Sequence, residues 1–408
     1  MIFDALSLLV TKATFIGLRL FVLYLVAASL GSAEFGPIAF ALTASEIVRF
    51  AADWGIDTLS LRSFSNPDHA TASMKFRSVL RIKAGSSLVA LVASTIIILS
   101  FTGVSSPFTA VLISMTAVTS LWLNLAINWL QARGILRAAA VRMSMIGTIA
   151  GGAQLAAHLL GWEYEARFAL MIGFEISMVA LMLRLAFVDL APRFVVSEPD
   201  IAMNWLRSST PIALATILAL SYARFDQIYI RIFFPPAILG EFALAARLTE
   251  PLIFVAASMT STIYARASTV VWQGEGIAPL RRMAAKWIVA ALTTAVCAAM
   301  VIGIAGHYGL PRFFPSYTYT PSFLWITLAA LPFRCVNLCL TAFIQALGEF
   351  GRMLTINLIN FVNIAILVVV GGYAYGVMGA AIAVVIGEVV NSLIQARTLA
   401  GLLLKRTI

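Results

Sequence analysis

Apolar residues in this chain do not alternate with polar ones. They run in blocks of 19–27 residues, separated by short charged or Gly/Pro-rich breaks. A helix that crosses a bilayer needs roughly 20 mostly apolar residues. Twelve blocks meet that length: 8–30, 37–61, 84–102, 107–131, 138–160, 166–188, 209–231, 240–265, 285–306, 321–347, 354–373 and 377–403. The pattern predicts an all-α, polytopic membrane protein with twelve transmembrane helices. The longest breaks are 62–83, 189–208 and 266–284, too short for a soluble domain. The middle one falls at the centre of the chain. The predicted organisation is therefore a six-helix lobe over 1–188, a cytoplasmic linker over 189–208 and a second six-helix lobe over 209–408.

The halves echo each other. Gly36-Pro-Ile-Ala-Phe-Ala opens the second block and Gly240-Glu-Phe-Ala-Leu-Ala the eighth, 204 positions later. The same offset sets Glu46 on Glu250 and Phe50 on Phe254. Further on the offset becomes 214: Gln131-Ala-Arg-Gly134 meets Gln345-Ala-Leu-Gly348, and Ala169, Ile172 and Gly173 meet Ala383, Ile386 and Gly387. One insertion of about ten residues accounts for the change. Six spans per half is an even number, so both halves start on the same side and form parallel repeats. Transporters built in this way carry cargo between their halves.

Composition strengthens the membrane reading. The chain is 61% hydrophobic and only 11% charged, against about 25% charged in ordinary soluble proteins. That excludes a cytosolic enzyme and, despite the net charge of +10, a nucleic-acid binder. The first apolar run carries Arg19 and lacks a small-residue cleavage pattern, so it reads as a retained span. Three cysteines and three scattered histidines suggest neither a disulfide scaffold nor zinc. No phosphate-binding loop is present and no nucleophile–base pairing can be read, so neither a cofactor nor an enzymatic activity is expected. Twenty of the 28 basic residues fall on one set of breaks and termini; the opposite set holds only Arg167, Arg231 and Arg312. The bias puts both termini in the cytoplasm.

The remaining five arginines, Arg19, Arg49, Arg224, Arg247 and Arg334, lie inside spans. So do Glu46, Asp53, Glu175, Asp226, Glu250 and Glu388. Each costs about 2.5–3.5 kcal/mol at a helix centre on insertion scales, so they should face protein or water. Glu46, Arg49 and Asp53 share one helix face at i, i+3, i+7, and Arg247 with Glu250 is an i, i+3 pair. Asn124, Asn128 and Gln131 form a polar stripe on the fourth span; Arg334, Asn337, Thr341 and Gln345 form another on the tenth. Arginine grips phosphate in a bidentate fork, so the five arginines are candidates for binding an anionic cargo. Arg19 and Arg334, which have no acid within four residues in their own spans, stand out. Glu46, Asp53, Asp226 and Glu250 are candidates for ion coupling. The competing reading is that these charges are packing ion pairs; Glu175 and Glu388 fit it best. Pro211, Pro251 and Pro332 permit kinks. Cys335 and Cys339, one turn apart, read as core.

Leu30-Gly-Ser-Ala-Glu-Phe-Gly-Pro-Ile-Ala-Phe-Ala and Ala52-Asp-Trp-Gly-Ile-Asp57-Thr-Leu-Ser-Leu-Arg62 resemble the opening spans of bacterial polysaccharide repeat-unit flippases. Gln345-Ala-Leu-Gly-Glu and Tyr375-Gly-Val-Met-Gly-Ala-Ala-Ile-Ala383 are similar to later parts of the same group. This group is the polysaccharide transporter branch of the multidrug/oligosaccharidyl-lipid/polysaccharide exporter superfamily. The resemblance implies a bacterial inner-membrane protein that flips a polyprenyl-diphosphate-linked oligosaccharide to the outer leaflet by alternating access, often with an ion gradient, for exopolysaccharide or O-antigen synthesis. It also implies a polysaccharide polymerase and glycosyltransferases as partners. The core spans depart from that picture in being charge-neutral in sum. The alternatives are a drug/cation antiporter of the same superfamily, a membrane polysaccharide polymerase or ligase, and a non-transporting scaffold. An outermost break of only about 14 residues (307–320) speaks against the polymerase.

Overall fold

A computed structural model describes residues 2–65, 68–190, 199–273 and 277–405. Part of the predicted linker, 191–198, lies outside the described residues. Those described form helices and turns, without a strand. In chain order they are α1 (Ile2–Asp53), α2 (Ile56–Phe64), α3 (His69–Ile97), α4 (Pro107–Ala132), α5 (Leu136–Leu159), α6 (Tyr164–Asp189), α7 (Pro199–Phe233), α8 (Pro236–Trp272), α9 (Ile277–Phe313), α10 (Thr320–Ala346) and α11 (Phe350–Lys405). A π-helical turn, Ile98–Thr102, extends α3. Two of the helices are double spans. α1 breaks at Gly31, which has φ 74°, and α11 breaks at Tyr375–Gly376, where Gly376 has φ 64°. Left-handed φ costs glycine nothing, which is why both breaks fall there. Counting each of these helices twice gives the twelve span-length segments expected, with α2 as a short extension of the second.

The breaks read from hydropathy are mostly helix. Of residues 62–83, most of those described belong to the end of α2 and the first turns of α3, and α8 and α9 likewise run into 266–284. Hydropathy marks the apolar stretch, whereas the backbone keeps its helical hydrogen bonds into the charged flanks. Pro211, Pro251 and Pro332 lie inside continuous helices. A further bend at Trp54–Gly55, both with positive φ, separates α1 from α2.

The helices form two compact units. The first comprises Met1–Leu30 with Pro37–Ile217, the second Gly31–Gly36 with Leu218–Ile408. In the first, α4 is the central helix: 72% of its most apolar window is buried, against 22–39% for α1, α3 and α6. Ile113, Leu125 and Trp129 of α4 meet Phe76 and Val79 of α3, Met143 of α5 and Met171 and Met178 of α6 in one core. In the second, α10 has that place, with 61% buried, and packs on α8, α9 and α11. Cys335 and Cys339 are buried, and Cys339 sits in that lobe's core. The lipid-sized faces of α3, α5 and α9 are apolar and outward (Leu88, Val92, Ile96; Val141, Met145, Ile149; Val289, Val296, Met300).

The internal repeat has a physical basis at the helix ends. α4 and α10 both stop in a Schellman turn. Ile135 N donates to Leu130 O (3.0 Å) and Gly134 N to Gln131 O (3.2 Å); Glu349 N donates to Ile344 O (3.3 Å) and Gly348 N to Gln345 O (2.9 Å). Gly134 and Gly348 take φ 71° and 80°, as the C′ position of that motif requires. The other repeated pair, Gly36 and Gly240, meets face to face within the second unit. A Cβ on Gly36 would stand 2.1 Å from Pro236 O, and one on Gly240 2.0 Å from Ser32 O. Only glycine lets these two backbones approach so closely.

Candidate functional site

The intramembrane charges fall into separate clusters, described lobe by lobe. In the first lobe Arg19 reaches from α1 across to α4 and α6. Its Nη2 donates to Glu175 Oε2 (2.8 Å), Thr116 O (2.6 Å) and Thr119 Oγ1 (3.0 Å), its Nη1 to Ser120 Oγ (2.9 Å) and its Nε to Glu175 Oε1 (2.5 Å). The Glu175 side chain is fully buried. Arg19 also lies over the ring of Phe15. The acid missing from its own span is therefore supplied by α6.

Asp53 pairs with Lys83 of α3. The Lys83 ammonium, completely buried, pairs with Asp53 and with Asp57 Oδ1 (2.8 Å). Asn124 Nδ2 donates to Asp57 Oδ2 (3.0 Å), and Asn128 Nδ2 to Asp57 O and Ser60 Oγ (both 2.9 Å). Thus the polar stripe of α4 closes over the bend between α1 and α2. Trp54 in that bend donates through Nε1 to Thr210 Oγ1 (3.2 Å). Sequence reasoning put Lys83 in a cytoplasmic break and missed this cluster. The available signal was two aspartates straddling Gly55 and two asparagines four apart on α4, a polar face that calls for a cation.

Arg49 is different. Its guanidinium lies 3.7 Å from the centre of the Phe50 ring, and the charges that act on it are Glu46, Asp57, Asp53 and Arg19. It is half-buried, yet among the described residues no acceptor or ion-pair partner takes its five N–H groups.

In the second lobe Arg334 donates from Nε to Glu388 Oε1 (3.0 Å). Asn337 Nδ2 adds a bond to Glu388 Oε2 (2.8 Å), and Ser392 Oγ donates to Asn337 Oδ1 (2.7 Å). Thr341 Oγ1 and Gln395 Oε1 continue the stripe (3.1 Å). The expected i, i+3 pair forms: Arg247 Nη1 sits 2.8 Å from Glu250 Oε1. Arg224 Nη2 shares that oxygen at 2.9 Å, so two guanidiniums engage one carboxylate. Asp226 is buried; the amide of Gln227 donates to its Oδ1 (2.7 Å), and the charges acting on it are Arg334, Arg224 and Glu388. Nearby on α7, Tyr222 lies in the field of the Glu388 and Arg334 charges.

The structure thus brings Arg224, Arg247 and Glu250 together, gives Arg19 and Arg334 carboxylates from other helices, and leaves Arg49 over an aromatic ring. The zero charge sum of the core spans does not hold locally: Asp53 is taken by Lys83, and Glu250 is outnumbered. Among the described residues no group of three or more His, Cys, Asp or Glu could hold a metal ion. The sequence reading set Arg167 in an exposed outer break. It is in fact buried in the first turn of α6, 2% exposed.

The fold matches solved membrane transporters over nearly its whole length. A multidrug resistance MATE family transporter of the MOP superfamily aligns in its inward-facing conformation with TM-score 0.70 and 16% identity, covering 96% of this chain and 95% of the other. The outward-facing conformation of such a transporter aligns at 0.69 with 16% identity, covering 98% and 95%. The lipid II flippase MurJ, in an inward closed conformation, aligns at 0.72 with 13% identity, covering 96% and 87%. At these identities the likeness is one of fold: all-α, two lobes, the MATE and MurJ transporter architecture. No family model and no curated protein matches the sequence.

Proposed function

We propose that this chain is an alternating-access transporter that flips a polyprenyl-diphosphate-linked oligosaccharide repeat unit from the cytoplasmic to the outer leaflet of a bacterial inner membrane. The observation that carries the reading is Arg49. A guanidinium held in a membrane span, with no acceptor among the described residues, is an anion site in search of an anion. The fold supports transport, since proteins that share it have been caught facing inward and facing outward, and one of them is a lipid II flippase. Arg224 and Arg247, two cations on the Glu250 carboxylate, are the second lobe's candidates for contact with acidic groups of the cargo. Arg19 and Arg334 act only indirectly, each by fixing helices of its own lobe. For ion coupling, Asp226 and the Asp53–Lys83 cluster are the buried groups whose charge can change with the transport cycle; Glu46 and Glu250 set the field around the arginines. A polymerase and glycosyltransferases are the expected partners.

The test is Arg49→Ala and Arg49→Lys in a strain that depends on this protein for surface polysaccharide. The expected result at normal protein level is loss of polymer with Ala, partial output with Lys, and lipid-linked single units accumulating on the cytoplasmic face. Normal polymer with Arg49→Ala overturns the assignment. The fold shared with multidrug exporters supports a second reading, a drug/cation antiporter. That reading gains if deletion raises drug susceptibility and leaves polymer unchanged.

A further inference from the structure

The turn between α5 and α6 opens a cleft of about 520 Å³ in the first lobe, away from every charge cluster described above. It is lined by Ser29 of α1 and by Trp162, Glu163, Tyr164, Glu165 and Arg167. Gly161, with φ 73°, turns the chain out of α5, and Trp162 N closes the turn on Ala157 O (2.9 Å). The Trp162 ring is left 48% exposed.

Arg167 forms the cleft's buried wall. Its Nη1 donates to Leu25 O (3.2 Å) and His158 Nδ1 (2.9 Å), and its Nη2 to Ser29 Oγ (3.0 Å). A guanidinium only donates, so His158 accepts at Nδ1 and keeps its proton on Nε2. The Arg167 Nε is buried and has no acceptor among the described residues. Its neighbour Gln154, fully buried, spends its amide nitrogen on Arg167 O (3.0 Å) and leaves its own oxygen unpaired. On the other side Thr109 Oγ1 holds Glu165 Oε1 at 2.5 Å.

We propose that this cleft is a glycan subsite for neutral pyranose rings. The flat faces of Trp162 and Tyr164 suit the apolar C–H face of a sugar. The carboxylates of Glu163 and Glu165 suit its hydroxyl donors; Arg167 and Ser29, bonded to each other and both to Leu25 O, hold the wall behind them. Two carboxylates against one guanidinium turn acidic sugars and phosphates away, which separates this site from the anion site at Arg49. Choosing a glycan over another polyhydroxyl ligand rests on the functional reading above. On the orientation that the basic residues favour, the cleft opens outside the cytoplasm, where a flipped repeat unit presents its sugars.

The experiment is saturation-transfer NMR on the full chain in lipid nanodiscs, with methyl α-glucoside, N-acetylglucosamine and glucuronate as probes at about millimolar concentration, the range where a single sugar on one aromatic wall binds. Saturation should reach the ring protons of the two neutral sugars and fall at least about threefold in Trp162→Ala, with Trp162→Phe restoring part of it. Glucuronate should respond weakly, and gain in Glu163→Gln/Glu165→Gln. No transfer from wild type, or transfer undiminished in a Trp162→Ala protein of wild-type thermal stability, overturns the proposal and leaves Trp162 an interfacial anchor. Equal transfer to glucuronate and glucoside overturns it too. The two readings fail separately. Normal polymer in a strain lacking the protein, with saturation intact, removes the flippase and keeps the cleft; lost polymer with no saturation removes only the cleft.

Discussion

Arg19→Ala should strongly destabilise the first lobe rather than merely weaken transport. The substitution removes five hydrogen bonds that tie α1 to α4 and α6. It leaves Glu175 with a fully buried side chain and Thr119 Oγ1 as its remaining hydrogen-bond donor (2.5 Å). Breaking one side of a buried ion pair costs about 3–5 kcal/mol, because the surviving charge is uncompensated. Set against typical domain stabilities of about 5–15 kcal/mol, that is about a fifth or more of the total. Removing both charges is a different perturbation: replacing a buried pair by apolar side chains is often neutral or stabilising. Arg19→Leu/Glu175→Leu should therefore lie within about 1 kcal/mol of wild type. The assay is reversible unfolding in mixed micelles for wild type, both single variants and the double. A coupling energy of about 3 kcal/mol or more is expected from the cycle. A stable Arg19→Ala, or a double variant as poor as the single, refutes the clasp. The same double variant separates framework from cargo contact: if it folds and still supports polymer, Arg19 does not touch cargo.

Lys83→Met should cost about 3–5 kcal/mol by leaving Asp53 and Asp57 together without their cation, and Asp53→Asn on the same background should recover part of it, read by the same unfolding assay. Gly36→Ala and Gly240→Ala put a Cβ about 2 Å from a backbone carbonyl oxygen, so each should lower thermal stability by about 1–3 kcal/mol or more; Gly85→Ala, which meets nothing within 4 Å, is the control. Asp68 caps α3 by accepting from the Thr71 hydroxyl and from the amides of Ala70 and Thr71, which holds its carboxyl below the usual carboxylate range. Its contribution is therefore complete above the ordinary carboxylate pKa and disappears as pH falls through the lowered value. Asp68→Asn should flatten the acid limb by lowering stability at neutral pH toward the acid value, where the two proteins should coincide.

What the sequence made legible was whatever a single helix encodes. The apolar blocks located all twelve spans, because bilayer thickness sets their length. The i, i+3 spacing of Arg247 and Glu250 located their ion pair. The repeated Gln-Ala-x-Gly ends of α4 and α10 are visible because a Schellman turn demands glycine at one position. What stayed hidden needed the angle at which one helix faces another. Arg19 and Glu175 are 156 residues apart, and Arg334 and Glu388 are 54 apart; no periodicity links them. Lys83 was misplaced for a related reason. A lysine at the edge of an apolar run reads as leaving the membrane, but α3 begins at His69, so the lysine is well inside a helix. Its four-carbon stem and ammonium are then drawn inward by two aspartates.

The two arginine–glutamate clasps carry one further step. Glu175 lies on the last helix of the first lobe, and Glu388 lies 213 positions later on the last span of the second, one residue from the repeat offset. Each acid meets the central helix of its lobe: Glu388 pairs directly with Arg334 of α10, whereas Glu175 is answered by Arg19, which is itself bonded to Thr116, Thr119 and Ser120 of α4. The repeat has kept the place of the carboxylate and changed the helix that provides the base. A cargo site would constrain the cation, because the cation is what the anion touches. A packing clasp constrains only that some cation reach the acid. The pattern is that of a clasp, which supports a framework role for Arg19 and Arg334. That leaves Arg49, over the Phe50 ring, as the arginine on which the proposed cargo site chiefly rests.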